Sequence, residues 1–530
     1  MTRRNEETAS AATQGRFFVA LDLFPTSGRV LAEPFAKTEY LVTRSTLLLS
    51  TTLGLCFFAA LSANAASPQE VLDSKLRAVG TIIDANLSME SVPGAAIGIV
   101  HDQDLVWSHQ YGVQDLQTRK PVTNDTAFSI CSVSKLFTGI AIMDLEEAGK
   151  IDLDMPISTY LDGRDGPETG VTVGNVLSHV SGVARESGTD FWLENDFPDD
   201  VTLMTDFADR DNWYGPYEHW QYSNLGMAAL GQVIATTSGK SFHDYVADNI
   251  LEPLGMENTS TDMPFNRVGQ GFARGYYVRN AKGVRAPVQP HSFKAFAPAA
   301  GLASSVSDLA RFMSWHFRLR DADEAEVLEP NTLKRMQRVH WTGEDFDEPA
   351  WGLAYATRRY GKKTMWGHGG YCPGTVTEVV MRNSEKTGVA VMLSANDVSA
   401  GKMAKMVYSM AGDDIKAVYG SETSDKTEVS ESAETESSDD KHDFGAYEGH
   451  YVRPNYDWAF YVGLTSDGLF AVPVHSDEPQ DGLDNLKHVE GDQFKFKRDD
   501  GSLGAPVTFL RNDGGEVIEV ISAGYKFYRK

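Results

Sequence analysis

The chain has 530 residues, 42% of them hydrophobic and 10% aromatic, which allows a sizeable core and more than one domain. Its formal net charge is −26, from 74 Asp and Glu against 48 Lys and Arg, so nucleic acid and anionic membranes are poor partners. The three cysteines, Cys56, Cys131 and Cys372, make no disulfide framework, and the thirteen histidines contain no H-E-x-x-H, so no metal and no cofactor is expected.

The first segment in chain order carries an address. Leu47 to Leu61 is apolar but short for a bilayer span, Arg44 precedes it, and Ala63-Asn64-Ala65 follows as a small-x-small cleavage pattern. Residues 42–65 therefore read as a secretory signal. The mature chain would start near Ala66 and be exported, periplasmic or extracellular, with no membrane anchor after cleavage; a buried helix is the alternative. Cys56 is not expected to carry lipid, because Leu55 fills a position that lipoprotein signals give to a small residue. Residues 1–41 stand oddly before this signal. Either the true start lies near Val42, or they form a long disordered leader.

A large block follows, residues 68–418. "GAAIGIVHDQDLVWSHQYG" alternates like two strands joined by a turn at Asp102-Gln103-Asp104. "TEVVMRNSEKTGVAVMLSAN" supplies late strands, and helical patterns dominate between. Strands at both ends with helices in the middle predict one α+β domain whose sheet is assembled from its two ends. Residues 421–443 hold nine Asp or Glu against two Lys and no large apolar residue beyond Val429, the composition of an acidic, self-repelling disordered linker. Residues 444–530 alternate between turn signals at Thr465-Ser466-Asp467-Gly468, Asp499-Asp500-Gly501 and Asn512-Asp513-Gly514-Gly515. That spacing predicts a small all-β barrel or sandwich.

S-x-x-K occurs at Ser132–Lys135, Ser399–Lys402 and Ser438–Lys441. The third lies in the acidic linker, and the second reads as the start of a surface helix. At the first, Leu136, Phe137, Ile140 and Met143 recur at helical spacing and Gly149 can end the helix. Ser132 would stand at a buried helix N-terminus with Lys135 one turn on. Burial and the helix dipole would lower the lysine pKa and let it take a proton from the serine. An N-cap serine with a snorkelling lysine is the structural alternative. Further on come Tyr222-Ser223-Asn224 before another apolar helix, and His368-Gly369-Gly370 on an expected strand.

In that order, S-x-x-K, Y-x-N and H-x-G, the chain resembles the serine β-lactamase and penicillin-recognising family. The likeness is to the branch holding class C β-lactamases, D-alanyl-D-alanine carboxypeptidases, D-aminopeptidases and esterases. "LEEAGKIDLDMPISTYL", "VLSHVSG" and "AAGLASSVSDLARFM" look like the same family, over roughly residues 75–415. The resemblance implies a β-lactamase/transpeptidase-like antiparallel sheet flanked by helices. It makes Ser132 the acylated nucleophile and gives Lys135 and Tyr222 the general-base work, with Tyr222 protonating the leaving group. Asn224 would hold the substrate amide, and the backbone N–H groups of Ser132 and Tyr371 would form the oxyanion hole. It further implies that residues 444–530 are a lipocalin-like barrel that gates substrate size or mediates self-association as a homo-oligomer.

The third motif departs from β-lactamases, which carry Lys-Thr/Ser-Gly there. His368 is only partly charged near neutrality and Gly369 has no hydroxyl, so His368, Gly369 and Gly370 would bind substrate with a weaker grip on carboxylates. His179 reads as structural. Cys131 and Cys372 flank the first and third motifs; buried free thiols are expected there, an active-site disulfide being the alternative. The functional expectation is a secreted serine hydrolase cleaving a small ester or D-amino-acid peptide. The alternatives are a weak β-lactamase or D-Ala-D-Ala carboxypeptidase, and an inactive relative that binds peptides or acts as a scaffold.

Overall fold

The computed structural model describes residues 66–161, 170–187, 191–209, 212–342, 350–420, 443–454, 458–466, 468–476, 478–497, 501–522 and 525–530. The expected signal, with Cys56, and Ser438–Lys441 lie outside the described residues, as does all but the last residue of the acidic linker.

The chain opens on helix α1 (Pro68–Met89). Pro68 occupies its first turn, and Ser67 and Glu70 form a reciprocal capping box. Strands β1 (Gly94–His101) and β2 (Asp104–Gly112) follow as the expected hairpin, with Asp102 left-handed in the turn at φ +49°. Then come β3 (Phe128–Ser129), α2 (Ser134–Glu147), α3 (Asn224–Ser238), β4 (Ala303–Ser304), α4 (Val306–Asp321) and a late group of strands. These are β5 (Ala356–Tyr360), β6 (Lys363–Cys372), β7 (Thr375–Arg382) and β8 (Thr387–Leu393), and α5 (Ala400–Tyr419) closes the block. The main sheet runs β2-β1-β8-β7-β6-β5, every neighbour antiparallel. The two ends of the block thus meet at β1–β8, as the distribution of strands predicts.

The two sheet faces belong to different cores. Ala96, Val100, Val379, Met381, Ala390 and Met392 pack with α2, α3 and α4 on the front. Ala95, Ile97, Ile99, Val389, Val391 and Leu393 pack with α1 and α5 on the back. A sheet apolar on both faces has to be covered twice, which is why its central strands β1 and β8 are buried along almost their whole length.

Strands β9 (Gly449–Val452), β10 (Ala459–Thr465), β11 (Gly468–Pro473), β12 (Asp484–Glu490), β13 (Gln493–Lys497), β14 (Leu503–Arg511), β15 (Val517–Ser522) and β16 (Tyr525–Arg529) close into an eight-stranded antiparallel barrel. Tyr447, Tyr451, Phe460, Phe494, Phe496, Phe509 and Phe527 build its core, so side chains occupy the interior where a lipocalin would keep a ligand cavity. The barrel docks on the α1–α5 layer that covers the back of the sheet. Tyr461, Phe470, Val472 and Val474 join the α1–α5 core, Leu464 N–H donates to Ser74 Oγ (2.8 Å), and Arg77 pairs with Glu448 (2.8 Å). The sheet therefore stands between the barrel and α2.

Candidate active site

Ser132 lies in a single 3-10 turn, Cys131–Val133, that runs into α2. Cys131 is left-handed at φ +51°, an uncommon conformation for a residue with a Cβ. Ser134 is the structural serine of the segment: its Oγ donates to Cys131 O (2.6 Å) and accepts from Leu302 N–H (3.0 Å). Ser399, by contrast, caps α5 by accepting from Lys402 N–H.

Lys135 is fully buried, and its Nζ meets three oxygens: Ser132 Oγ at 3.1 Å, Asn224 Oδ1 at 2.8 Å and Ala299 O at 2.6 Å. No carboxylate is among these partners. Burial holds its pKa well below the usual lysine range; the charge of Glu186 opposes this shift and that of Arg185 adds to it.

Tyr222 and Asn224 are set by backbone pairing of two loops. Gln221 N–H donates to His179 O, Ser223 N–H to His179 Nδ1 and Asn224 N–H to Arg185 O. Ser223 caps α3 by accepting from Gly226 N–H, and its hydroxyl donates to Ala184 O. Lys135 Nζ and the Arg185 guanidinium each stand 4.9 Å from the Tyr222 ring centre. Burial nevertheless pushes the Tyr222 hydroxyl above its ordinary range, and its hydrogen bond with Ser132 offsets this only in part. The expectation that a cationic Lys135 would make Tyr222 a base meets the opposite balance: both groups are driven toward their neutral forms.

His368 and Gly370 face the front of β6. A Cβ on Gly370 would run into Thr377 Oγ1 and the Ile130 carbonyl, so glycine lets β6 lie against the Ser132 turn. Gly369 faces the back, under the Arg358–Glu378 ion pair (3.1 Å). His368 is 3% exposed, with Nδ1 2.6 Å from Gly369 O and its ring 6.1 Å from that of Tyr222. Desolvation, with Lys135 nearby, brings its pKa down to about 3. The expected partial charge near neutrality is therefore absent, because the ring is buried beside a second basic group. His179 is buried and pushed well below its ordinary range in the same way, its ring centre 4.4 Å from that of Tyr222 and tilted by 34°.

Cys131 and Cys372 form a disulfide, with Cα atoms 5.6 Å apart, where free thiols were expected. It joins the residue before Ser132 to the residue after Tyr371. Tyr371 itself is 63% exposed at the end of β6.

The structure thus brings Ser132, Lys135, Tyr222 and Asn224 together, with His368 behind Tyr222. Sequence reasoning missed Glu186. Its Oε1 accepts from Asn224 Nδ2 (2.6 Å) and its Oε2 from Trp192 Nε1 (3.0 Å). The Asn224 amide thus meets Lys135 through its oxygen and Glu186 through one of its two N–H donors. The only trace of this in the sequence is the adjacent Arg185-Glu186 after "LSHVSG", indistinguishable there from a solvated charge pair.

A family model described as Beta-lactamase matches residues 79–408. Protein flp of Staphylococcus aureus (strain MW2) is 27% identical over 267 residues, 49% of this chain and 52% of that protein, so the match spans about half the relative's length. A beta-lactamase of Escherichia coli (strain K12) is 25% identical over 311 residues, 58% of this chain and 77% of the relative. Among solved structures, an octameric penicillin-binding protein homologue from Pyrococcus abyssi superposes with a TM-score of 0.57 at 21% identity. That superposition covers 86% of this chain and 100% of the homologue, a likeness of fold.

Proposed function

Because the chain belongs to the beta-lactamase family, we propose that it is a serine hydrolase that opens an ester or amide through an acyl-enzyme on Ser132. The observation that carries this reading is the environment of Lys135 Nζ. A neutral amine has two N–H donors and one lone pair. The Asn224 amide oxygen and the Ala299 carbonyl can only accept, and Ser132 can donate its O–H. The two donors go to the two pure acceptors, and the lone pair is left for the serine proton.

In the reaction, Ser132 Oγ attacks the substrate carbonyl carbon while its proton passes to Lys135 Nζ. The carbonyl oxygen becomes an oxyanion, stabilised by the backbone N–H groups of Ser132 and Tyr371, which are charge-oriented donors needing no reorganisation. The carbon–oxygen or carbon–nitrogen bond then breaks. Tyr222, kept protonated by its burial, gives its proton to the leaving group and recovers one from the Lys135 ammonium. Water attacks the acyl-enzyme by the reverse transfers, releasing a carboxylic acid and restoring Ser132.

A neutral His368 supplies no cation for a substrate carboxylate, which favours small neutral esters or amides, D-amino-acid derivatives included, over penicillins. Residues 68–418 are the hydrolase domain in this reading. Its barrel, residues 444–530, serves assembly, supported by its position behind the sheet. Export rests on the Arg44, Leu47–Leu61 and Ala63-Asn64-Ala65 pattern, and mass analysis of secreted protein should find a start near Ala66. The decisive test is labelling with a fluorophosphonate followed by peptide mapping. An adduct on Ser132 is expected, and an adduct elsewhere, or none, sinks the reading.

A further inference from the structure

We propose that Glu186 is a positioning residue of this site: its carboxylate fixes the Asn224 amide so that the amide oxygen faces Lys135 and holds the amine on Ser132. This rests on the hydrolase reading above. The carboxylate is itself held, by Trp192 Nε1 at 3.0 Å and by Arg185 Nε at 3.5 Å. A carboxylate only accepts, so the end of Asn224 that meets it must be the NH2 group, found at 2.6 Å. The other end is then the oxygen, 2.8 Å from Lys135 Nζ. Were the amide turned over, its NH2 could meet the neutral Nζ only by taking the lone pair that Ser132 needs, and the serine would lose its base.

Glu186 takes one of the two N–H donors of the Asn224 amide. The carboxylate also has an electrostatic consequence. The titratable and charged groups around Lys135 are Glu186, Arg185 and His179 on the loop after the short helix Val173–Leu177, Tyr222 ahead of α3, and His368 on β6. Glu186 is the group here that draws a proton toward Lys135, against burial and Arg185. Removing its charge therefore has a signed effect on the proton affinity of the amine.

The test is kcat and KM for a neutral ester across pH in the parent, Glu186→Gln and Glu186→Ala, with fluorophosphonate labelling of Ser132 in each. Gln retains one acceptor, for Asn224 Nδ2, and loses the charge and the second acceptor that Trp192 Nε1 uses. The acid limb of kcat/KM, which reports the free enzyme's base, is expected at lower pH with KM nearly unchanged. Ala removes the acceptor, and kcat is expected to fall about tenfold or more, the scale of one lost charge-assisted hydrogen bond, with KM little moved. An unmoved acid limb in Glu186→Gln overturns the proposal while the hydrolase reading stands, provided Ser132 still labels. This arm decides alone if Glu186→Ala does not fold. A parent protein whose Ser132 never labels overturns the hydrolase reading, and this inference with it.

Discussion

Cys131 and Cys372 are 241 residues apart in the chain and joined in the fold, and their chain neighbours are Ser132 and Tyr371. The two backbone N–H groups assigned to the oxyanion are thus tied through adjacent covalent links. Trypsin digestion without reductant should give one cross-linked species containing both cysteines. The double substitution Cys131→Ser with Cys372→Ser should cost about 2–5 kcal/mol in chemical denaturation. It should also slow Ser132 labelling more than it weakens substrate binding, because the oxyanion site acts in the transition state. Equal labelling rates would separate the disulfide from the chemistry.

Lys135→Ala and Tyr222→Phe should each lower kcat by about a hundredfold or more, since each removes a proton-transfer group. The activity of the parent should fall as pH drops through the depressed pKa of Lys135, because only the neutral amine takes the serine proton. Ser399→Ala, at the cap of α5, should leave kcat as it was. Steady-state rates against a neutral ester check all three.

His368→Lys would bury a second ammonium beside Lys135. It should lower stability by about 2 kcal/mol or more, as an unpaired buried charge does. No gain is expected on carboxylate substrates relative to neutral esters. The ratio of kcat/KM for a carboxylate-bearing D-amino peptide to that for a neutral ester measures this, and a tenfold rise would return His368 to the substrate surface.

Acid should loosen the fold through its buried histidines. His368 and His316 are held neutral down to about 3, and His179 is also depressed. An unfolded histidine takes its proton near pH 6.5, so these groups favour the fold fully above that value. Their contribution is lost progressively as pH falls from about 6.5 toward 3, where the unfolded chain binds protons that the folded one refuses. Denaturant midpoints measured from pH 7.5 to 4 should decline over that range. Proton NMR should show the His368 ring unchanged between pH 8 and 5.

Gly370→Ala should push β6 away from the Ser132 turn, because its new methyl meets Thr377 Oγ1 and the Ile130 carbonyl. A loss of roughly 1–3 kcal/mol is expected from overpacking. A fall in kcat larger than the change in KM should accompany it, readable in the same ester assay.

Much of this molecule is legible along the chain. The hairpin at Asp102, the helix start at Ser399, and the one-turn spacing of Ser132 and Lys135 depend on neighbours within about four residues. Backbone sterics, caps and periodicity decide such features locally. The strands at both ends of the large block likewise forecast a sheet assembled from its two ends, and the turn spacing after residue 444 forecast an all-β unit, with barrel or sandwich left open.

Tertiary structure alone decided the charge states and the pairings. His368 reads as a half-charged group until β6 buries it near Lys135, and Tyr222 reads as a potential base until desolvation raises its pKa. The Cys131–Cys372 bond, the turn of the Asn224 amide set by Glu186, and the docking of the barrel behind the sheet each join residues tens to hundreds of positions apart. A proton's affinity and a hydrogen bond's direction are set by whatever lies within a few ångströms. At those distances the neighbours come from other segments, whose approach only the folded packing fixes.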